Sequence, residues 1–132
     1  MVDYTALLTA AMTARERAYV PYSHFKVGAA LLTTSGMVYP GCNIENAAYP
    51  VCLCAERAAF ASAWSHGEYT FVALAVVADT DAPVSPCGMC RQWMFELAPD
   101  LPVLLANLSG DTLHITPREL LPGGFSKTDV LK

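Results

Sequence analysis

Two short strings in this sequence could hold a soft divalent metal and move a proton beside it. One is Cys54-Ala55-Glu56-Arg57; the other, thirty residues on, is Pro86-Cys87-Gly88-Met89-Cys90. Cys87 and Cys90 stand three apart at the start of an expected helix, a spacing that lets two thiolates bind one ion. Cys54 opens another expected helix. If the two helix starts meet, three sulfurs can surround Zn²⁺ at about 2.3 Å and leave the fourth position for water, as a catalytic zinc requires. Three thiolates and one Zn²⁺ sum to an excess negative charge. Two helix N-termini and the guanidinium of Arg57, donating to the sulfurs, are available to offset it. In the first turn of its helix the Glu56 side chain leans toward the N-terminus, so it can face the metal's open position without binding the metal.

Cys-x-Glu followed by Pro-Cys-x-x-Cys is the pattern of zinc-dependent nucleobase deaminases, with Cys in place of the more frequent His. It predicts one Zn²⁺ per subunit, held by Cys54, Cys87 and Cys90. It also predicts a hydroxide made at the zinc that attacks C4 of a cytosine ring, with Glu56 carrying the proton to ring N3 and then to the departing amine. A Cys-x-x-Cys alone more often marks a structural zinc or a redox pair; the combination with Cys54, Glu56 and Pro86 favours catalysis. Cys42 and Cys52 read as small hydrophobic residues. His24, His66 and His114 lack the spacing of ligands.

The elements that must bring these strings together follow from periodicity and turn chemistry. Residues 4–18 carry Leu7, Ala11, Ala14 and Ala18 at helical spacing, with Asp3 as N-cap and Pro21 beyond the end. Residues 26–34 and 37–42 read as a hairpin turning at Ser35-Gly36, and 43–53 as a loop. A helix from Cys54 to about Ser65 ends before Gly67. The apolar run 71–78 suits a strand covered on both faces. A helix over 88–97 stops short of Pro99, and 102–106 and 111–115 read as two more strands. Thr116-Pro117-Arg118-Glu119 is a capping box with proline at N1. The tail beyond Gly123 reads as irregular. The expected fold class is α/β: a three-layer α/β/α sandwich with a five-stranded mixed sheet, in a single domain over 1–132.

Composition narrows the partners. The chain has 132 residues, net charge −4 and only eight Lys and Arg, with no basic run, which argues against a polynucleotide partner. With 54% hydrophobic residues it is apolar for its size, suggesting surface buried against other subunits. No signal peptide or membrane-length apolar segment is legible. A cytoplasmic location is therefore expected, where thiols stay reduced, and five cysteines, an odd number, favour metal binding or redox chemistry over a disulfide framework.

Beyond these features the sequence resembles the small homotetrameric zinc-dependent cytidine deaminases along nearly its whole length. The resemblance rests on Tyr22-Ser23-His24-Phe25-Lys26-Val27-Gly28-Ala29-Ala30, Gly41-Cys42-Asn43-Ile44-Glu45-Asn46-Ala47-Ala48-Tyr49, the two metal strings with Arg91-Gln92, and Leu120-Leu121-Pro122-Gly123-Gly124-Phe125. It implies deamination of cytidine and deoxycytidine to uridine and deoxyuridine in pyrimidine salvage. It further implies that Phe25 packs on the pyrimidine, that Asn43 and Glu45 bond ribose hydroxyls, and that the Ala55 backbone and Glu56 read the ring edge. Tyr49 and Phe125 would reach into a neighbouring subunit's site, so that a homotetramer shares its active sites. The residue after Tyr49, commonly glycine in that family, is Pro50, which pushes Tyr49 toward an extended conformation. The blasticidin deaminases share the two metal strings; Asn43, Glu45 and Phe125 favour the nucleoside.

Overall fold

The computed structural model describes residues 1–131; Lys132, the last residue of the expected single-domain span, lies outside them. The elements are α1 (Tyr4–Arg15), β1 (Val27–Thr33), β2 (Val38–Cys42), α2 (Ala55–Ser65), β3 (Phe71–Ala78), α3 (Gly88–Leu97), β4 (Val103–Asn107), β5 (Thr112–Ile115), α4 (Pro117–Leu120) and α5 (Lys127–Val130), with a 3₁₀ turn at Tyr49–Val51. The sheet runs β2-β1-β3-β4-β5. Of the four strand pairs, β3–β4 is parallel, with α3 as the crossover between its strands, and the other three are antiparallel.

Alternation along β3 explains the layers. Ala73, Ala75 and Val77 face α1 together with Ala30, Leu104 and Ala106, against Leu7 and Ala11. Leu74, Val76 and Ala78 face the other way, into a larger core that takes Ala59, Phe60 and Ala63 from α2 and Cys90 and Met94 from α3. A strand buried on both faces needs apolar residues at every position, which is why 71–78 reads as a continuous run. The expected α/β/α sandwich with a mixed five-stranded sheet is the observed one.

Two glycines set how closely the helices approach. A Cβ on Gly28 would overlap the Ala11 carbonyl of α1, and one on Gly41 would overlap the Ala55 carbonyl and the Ala59 amide of α2. The first turn of α2, which carries the first metal string, therefore lies directly on the backbone of β2.

Three expectations are corrected. The first helix ends at Arg15, not at residue 18: the amides of Glu16, Arg17 and Ala18 bond three residues back in a tightened turn, because the Tyr19 amide leaves to donate to the Asn43 carbonyl at 3.0 Å. Tyr49 is not extended. It starts the 3₁₀ turn, closed by Val51 N–H to the Ala48 carbonyl and Cys52 N–H to the Tyr49 carbonyl, and Pro50 sits where an N–H has no partner to lose. The tail is not wholly irregular, since Ser126 and Asp129 form a capping box that starts α5.

Candidate active site

Cys54 and Cys87 occupy the same structural position in different helices. Each is the N-cap, of α2 and α3 respectively, with extended backbone and no side-chain capping bond. Their sulfurs are thus left free where the first amides of each helix point outward. Cys90 is the N3 residue of α3, the position that in a capping box reaches back to the N-cap; this geometry is why a two-residue gap brings two sulfurs together. α2 follows the same logic: Arg57 is its N3 residue, and its Nη2 reaches back to the Cys54 sulfur at 3.3 Å and the Cys52 carbonyl at 3.5 Å.

The sulfurs of Cys54, Cys87 and Cys90 lie within 4.8 Å of one another, with Cys54 and Cys87 3.6 Å apart. Tetrahedral zinc with Zn–S bonds of about 2.3 Å sets its sulfurs about 3.8 Å apart, so the donor set and its spacing suit zinc. Cys90 is buried, Cys54 half-buried and Cys87 exposed, so the cluster opens to the surface on one side. Charge supports the same assignment. The Cys54 thiol is drawn down to about 5 by hydrogen bonds from Cys90 and Arg57, whereas the Cys90 thiol is pushed up by donating to Cys54 and by burial. Three adjacent thiols oppose one another's ionisation, and a divalent cation relieves that opposition. The buried Nε of Arg57 has no hydrogen-bond partner among the described residues, while its Nη2 turns to the Cys54 sulfur.

Glu56, the N2 residue of α2, is only 4% exposed. Burial pushes its carboxyl up to about 7, and the Cys54 charge pushes the same way. A carboxyl that changes charge near neutrality beside a metal site is equipped to accept and return a proton. Ala55 is fully buried at the first position of the same turn.

Of the expected nucleoside residues, Ala55 sits at the start of α2, whereas Phe25, Asn43, Glu45, Tyr49 and Phe125 lie outside the long helices and strands. Phe25, 40% exposed, lies just ahead of β1. Asn43 holds that segment with both ends of its amide: Oδ1 accepts from Val27 N–H at 2.9 Å and Nδ2 donates to the Phe25 carbonyl at 2.7 Å. Glu45 accepts from the amides of Tyr22 and Ser23 at 3.0 and 3.1 Å and from the Ser23 hydroxyl, bonds that hold its carboxyl below the usual range. Tyr22, Ser23, Glu45, Tyr49 and Cys52 line a surface cavity of about 330 Å³. The Tyr49 ring stands edge-on to Tyr22, with centroids 5.7 Å apart. Phe125, 60% exposed, is tethered through its carbonyl to Gln92 Nε2 at 2.7 Å.

Cys52 is neither a ligand nor a plain hydrophobe. Its sulfur accepts from Asn46 N–H at 3.2 Å and closes the 46–52 loop. Ser23, Gln92 and Arg91 hold expected site residues without figuring among them. Arg91 clamps the Pro86 and Leu120 carbonyls at 2.8 and 2.7 Å, tying the metal loop to the segment that carries Phe125. Such bonds, many residues long in sequence, leave no periodic signal; only the position of these residues within the motif strings hints at them.

Residues 1–105 match the family described as the cytidine and deoxycytidylate deaminase zinc-binding region. The chain is 55% identical over 130 residues to a cytidine deaminase of Sporosarcina psychrophila, covering 98% of this chain and 96% of that protein. It is equally identical over 130 residues to a cytidine deaminase of Halalkalibacterium halodurans, covering 98% of both. The crystal structure of cytidine deaminase from Burkholderia pseudomallei superposes with a TM-score of 0.91 at 52% identity, covering 95% of this chain and all of that one. Three sulfurs at two facing helix starts, a buried acid beside them and full-length likeness in sequence and fold agree: the chain belongs to the zinc-binding cytidine and deoxycytidylate deaminase family.

Proposed function

We propose that this protein hydrolyses free cytidine and deoxycytidine to uridine and deoxyuridine with release of ammonia. The observation that carries the reading is the cluster of Cys54, Cys87 and Cys90 sulfurs with Glu56 buried at the same helix start. Zinc, when bound, supplies a Lewis acid that brings a water to ionisation near neutral pH. Cys54, Cys87 and Cys90 hold it, and Arg57 balances the thiolate charge. Glu56 accepts one proton from the water, delivers it to ring N3 and assists protonation of the leaving amine. Burial, which disfavours the charged carboxylate, favours its holding the proton between the two transfers. Phe25 packs against the pyrimidine, Asn43 retains one donor hydrogen for a ribose hydroxyl, and Glu45 accepts from another. The Ala55 backbone reads the ring edge.

The aromatic ends of the nucleoside region support a shared site. Tyr49 and Phe125 are 68% and 60% exposed in the single chain, which leaves both rings available to another subunit. A homotetramer in which each copy lends these rings to a neighbour's pocket covers them, and residues 1–132 act as one domain within it. Among the described residues no helix is long and apolar enough to cross a membrane. Free zinc-binding thiols suit the cytoplasm, and the net charge of −4 suits a free nucleoside better than a nucleic acid.

The test is an absorbance assay with cytidine, deoxycytidine and cytosine, run before and after chelation, with light scattering for assembly. Turnover of both nucleosides, little with the base, and loss on chelation with recovery on adding zinc are expected. Activity that survives in metal-free protein overturns the reading.

A further inference from the structure

The turn before β1 contains a residue that touches both the ribose-facing acid and the ring-packing aromatic. The Ser23 hydroxyl donates to Glu45 Oε2 and accepts from Phe25 N–H at 3.0 Å, while Ser23 N–H donates to Glu45 Oε1 at 3.1 Å. His24 between them takes a φ of 58°, the left-handed region that a side chain of this size seldom occupies. That conformation folds the Phe25 amide back onto the serine oxygen two residues earlier. Strained backbone of this kind persists where the surroundings hold it, and here they are the Glu45 carboxylate, the Asn43 amide on the Phe25 carbonyl, and a bond from His24 N–H to the Val20 carbonyl at 3.0 Å.

We propose that Ser23 is a positioning residue for nucleoside recognition: its one hydroxyl couples the Glu45 carboxylate to the backbone of Phe25, so that the sugar and base contacts are set as a unit. The proposal rests on the reading in which Glu45 faces the ribose. Glu45 left without Ser23 has two amide donors but is free to rotate about them. Phe25, without the same oxygen, loses the bond that ends its turn. Ser23 itself touches no reacting atom, so its removal acts on binding and leaves the chemical step alone.

A double-variant cycle on the zinc-loaded protein tests this, with Ser23→Ala, Glu45→Ala, both together, and Ser23→Thr. A hydrogen bond to a charged group is expected to make Ser23→Ala raise KM for cytidine about tenfold with kcat changed less than about twofold. Ser23→Thr, which keeps the hydroxyl, is expected to restore KM to within about threefold of wild type. In the Glu45→Ala background, removal of Ser23 is expected to raise KM by no more than about threefold, because coupled residues are not additive. An unchanged KM in Ser23→Ala, a fall in kcat instead, or effects that multiply in the double variant would each sink the proposal while leaving the Glu45 reading intact. An unchanged KM in Glu45→Ala alone would remove the ribose reading itself, and the proposal with it.

Discussion

Where Cys54, Cys87 and Cys90 converge, each side chain is fixed by a helix terminus; Phe25, Glu45, Tyr49 and Phe125 are each carried by a loop or turn outside the long helices and strands. The metal region is built from residues one to three apart within two helix starts, seated on a sheet whose core is buried. The proposed nucleoside region is tied together by hydrogen bonds between residues 16 to 33 apart in sequence, with short closures such as Phe25 N–H to the Ser23 hydroxyl inside its loops. The difference divides the labour. Chemistry needs sulfur and carboxylate positions that do not drift, and helix ends on a packed sheet supply them. In the proposed reading, recognition needs surfaces that admit a nucleoside and release a product, a task for the tethered loops.

If that division holds, damage to the metal region removes chemistry outright. Cys90→Ala is expected to abolish both zinc content and cytidine turnover, because the buried N3 sulfur has no substitute; metal analysis and the absorbance assay check it. Glu56→Ala is expected to lower kcat by about 10²- to 10⁴-fold, the usual scale for a proton-transfer group. Zinc should be retained there, since Glu56 is not among the clustered ligands. Loss of zinc from Glu56→Ala would make the acid part of the metal site and blur the boundary.

Legibility in the sequence follows the same division. The N-cap and N3 relation of Cys87 and Cys90 is local, as are the apolar run of β3, the Gly36 turn and the Thr116 capping box, and all are readable from spacing alone. The nucleoside region was legible only through family resemblance, because its tethers leave no period. That Asn43 uses both ends of its amide on backbone 16 and 18 residues away, or that Ser23 meets Glu45, follows from topology alone. The short reach of α1 has the same origin, since helix propensity yields to the pairing of Tyr19 with the Asn43 loop. The Tyr49 turn shows the limit of a local rule. The bias of a residue before proline is weaker than two closing hydrogen bonds. The α5 capping box was readable at Ser126 and Asp129, but four residues carry too weak a periodic signal to draw attention to it.

Between the regions lies Gly41, one residue before Cys42 at the end of β2 and directly under the first turn of α2. Gly41→Val forces a side chain against the backbone of Ala55 and Ala59. Overpacking of this kind is expected to destabilise the fold by about 3 kcal/mol, and because backbone and not a flexible side chain must move, relief is limited. A fall in Tm of about 10 °C, read by calorimetry on zinc-loaded protein, is the expected result. Weaker zinc retention should accompany it, since Cys54 moves with the helix start. A normal Tm would mean that the metal region tolerates displacement, and the contrast with the loops would weaken.

The smallest effect is expected at Gln92. It lies on α3, two residues past Cys90, yet its amide is spent on the Phe125 carbonyl at 2.7 Å. It therefore belongs by position to the metal region and by contact to the nucleoside region. Gln92→Ala removes one exposed tether whose net value is about 1 kcal/mol, so KM for cytidine should rise by up to about fivefold while kcat, zinc content and Tm stay near wild type. If Phe125 is the group that the tether serves, Gln92→Ala combined with Phe125→Ala should be no worse than Phe125→Ala alone. A change in kcat or zinc content would instead mean that Gln92 acts through the helix and its cysteines, and that the two regions are mechanically one.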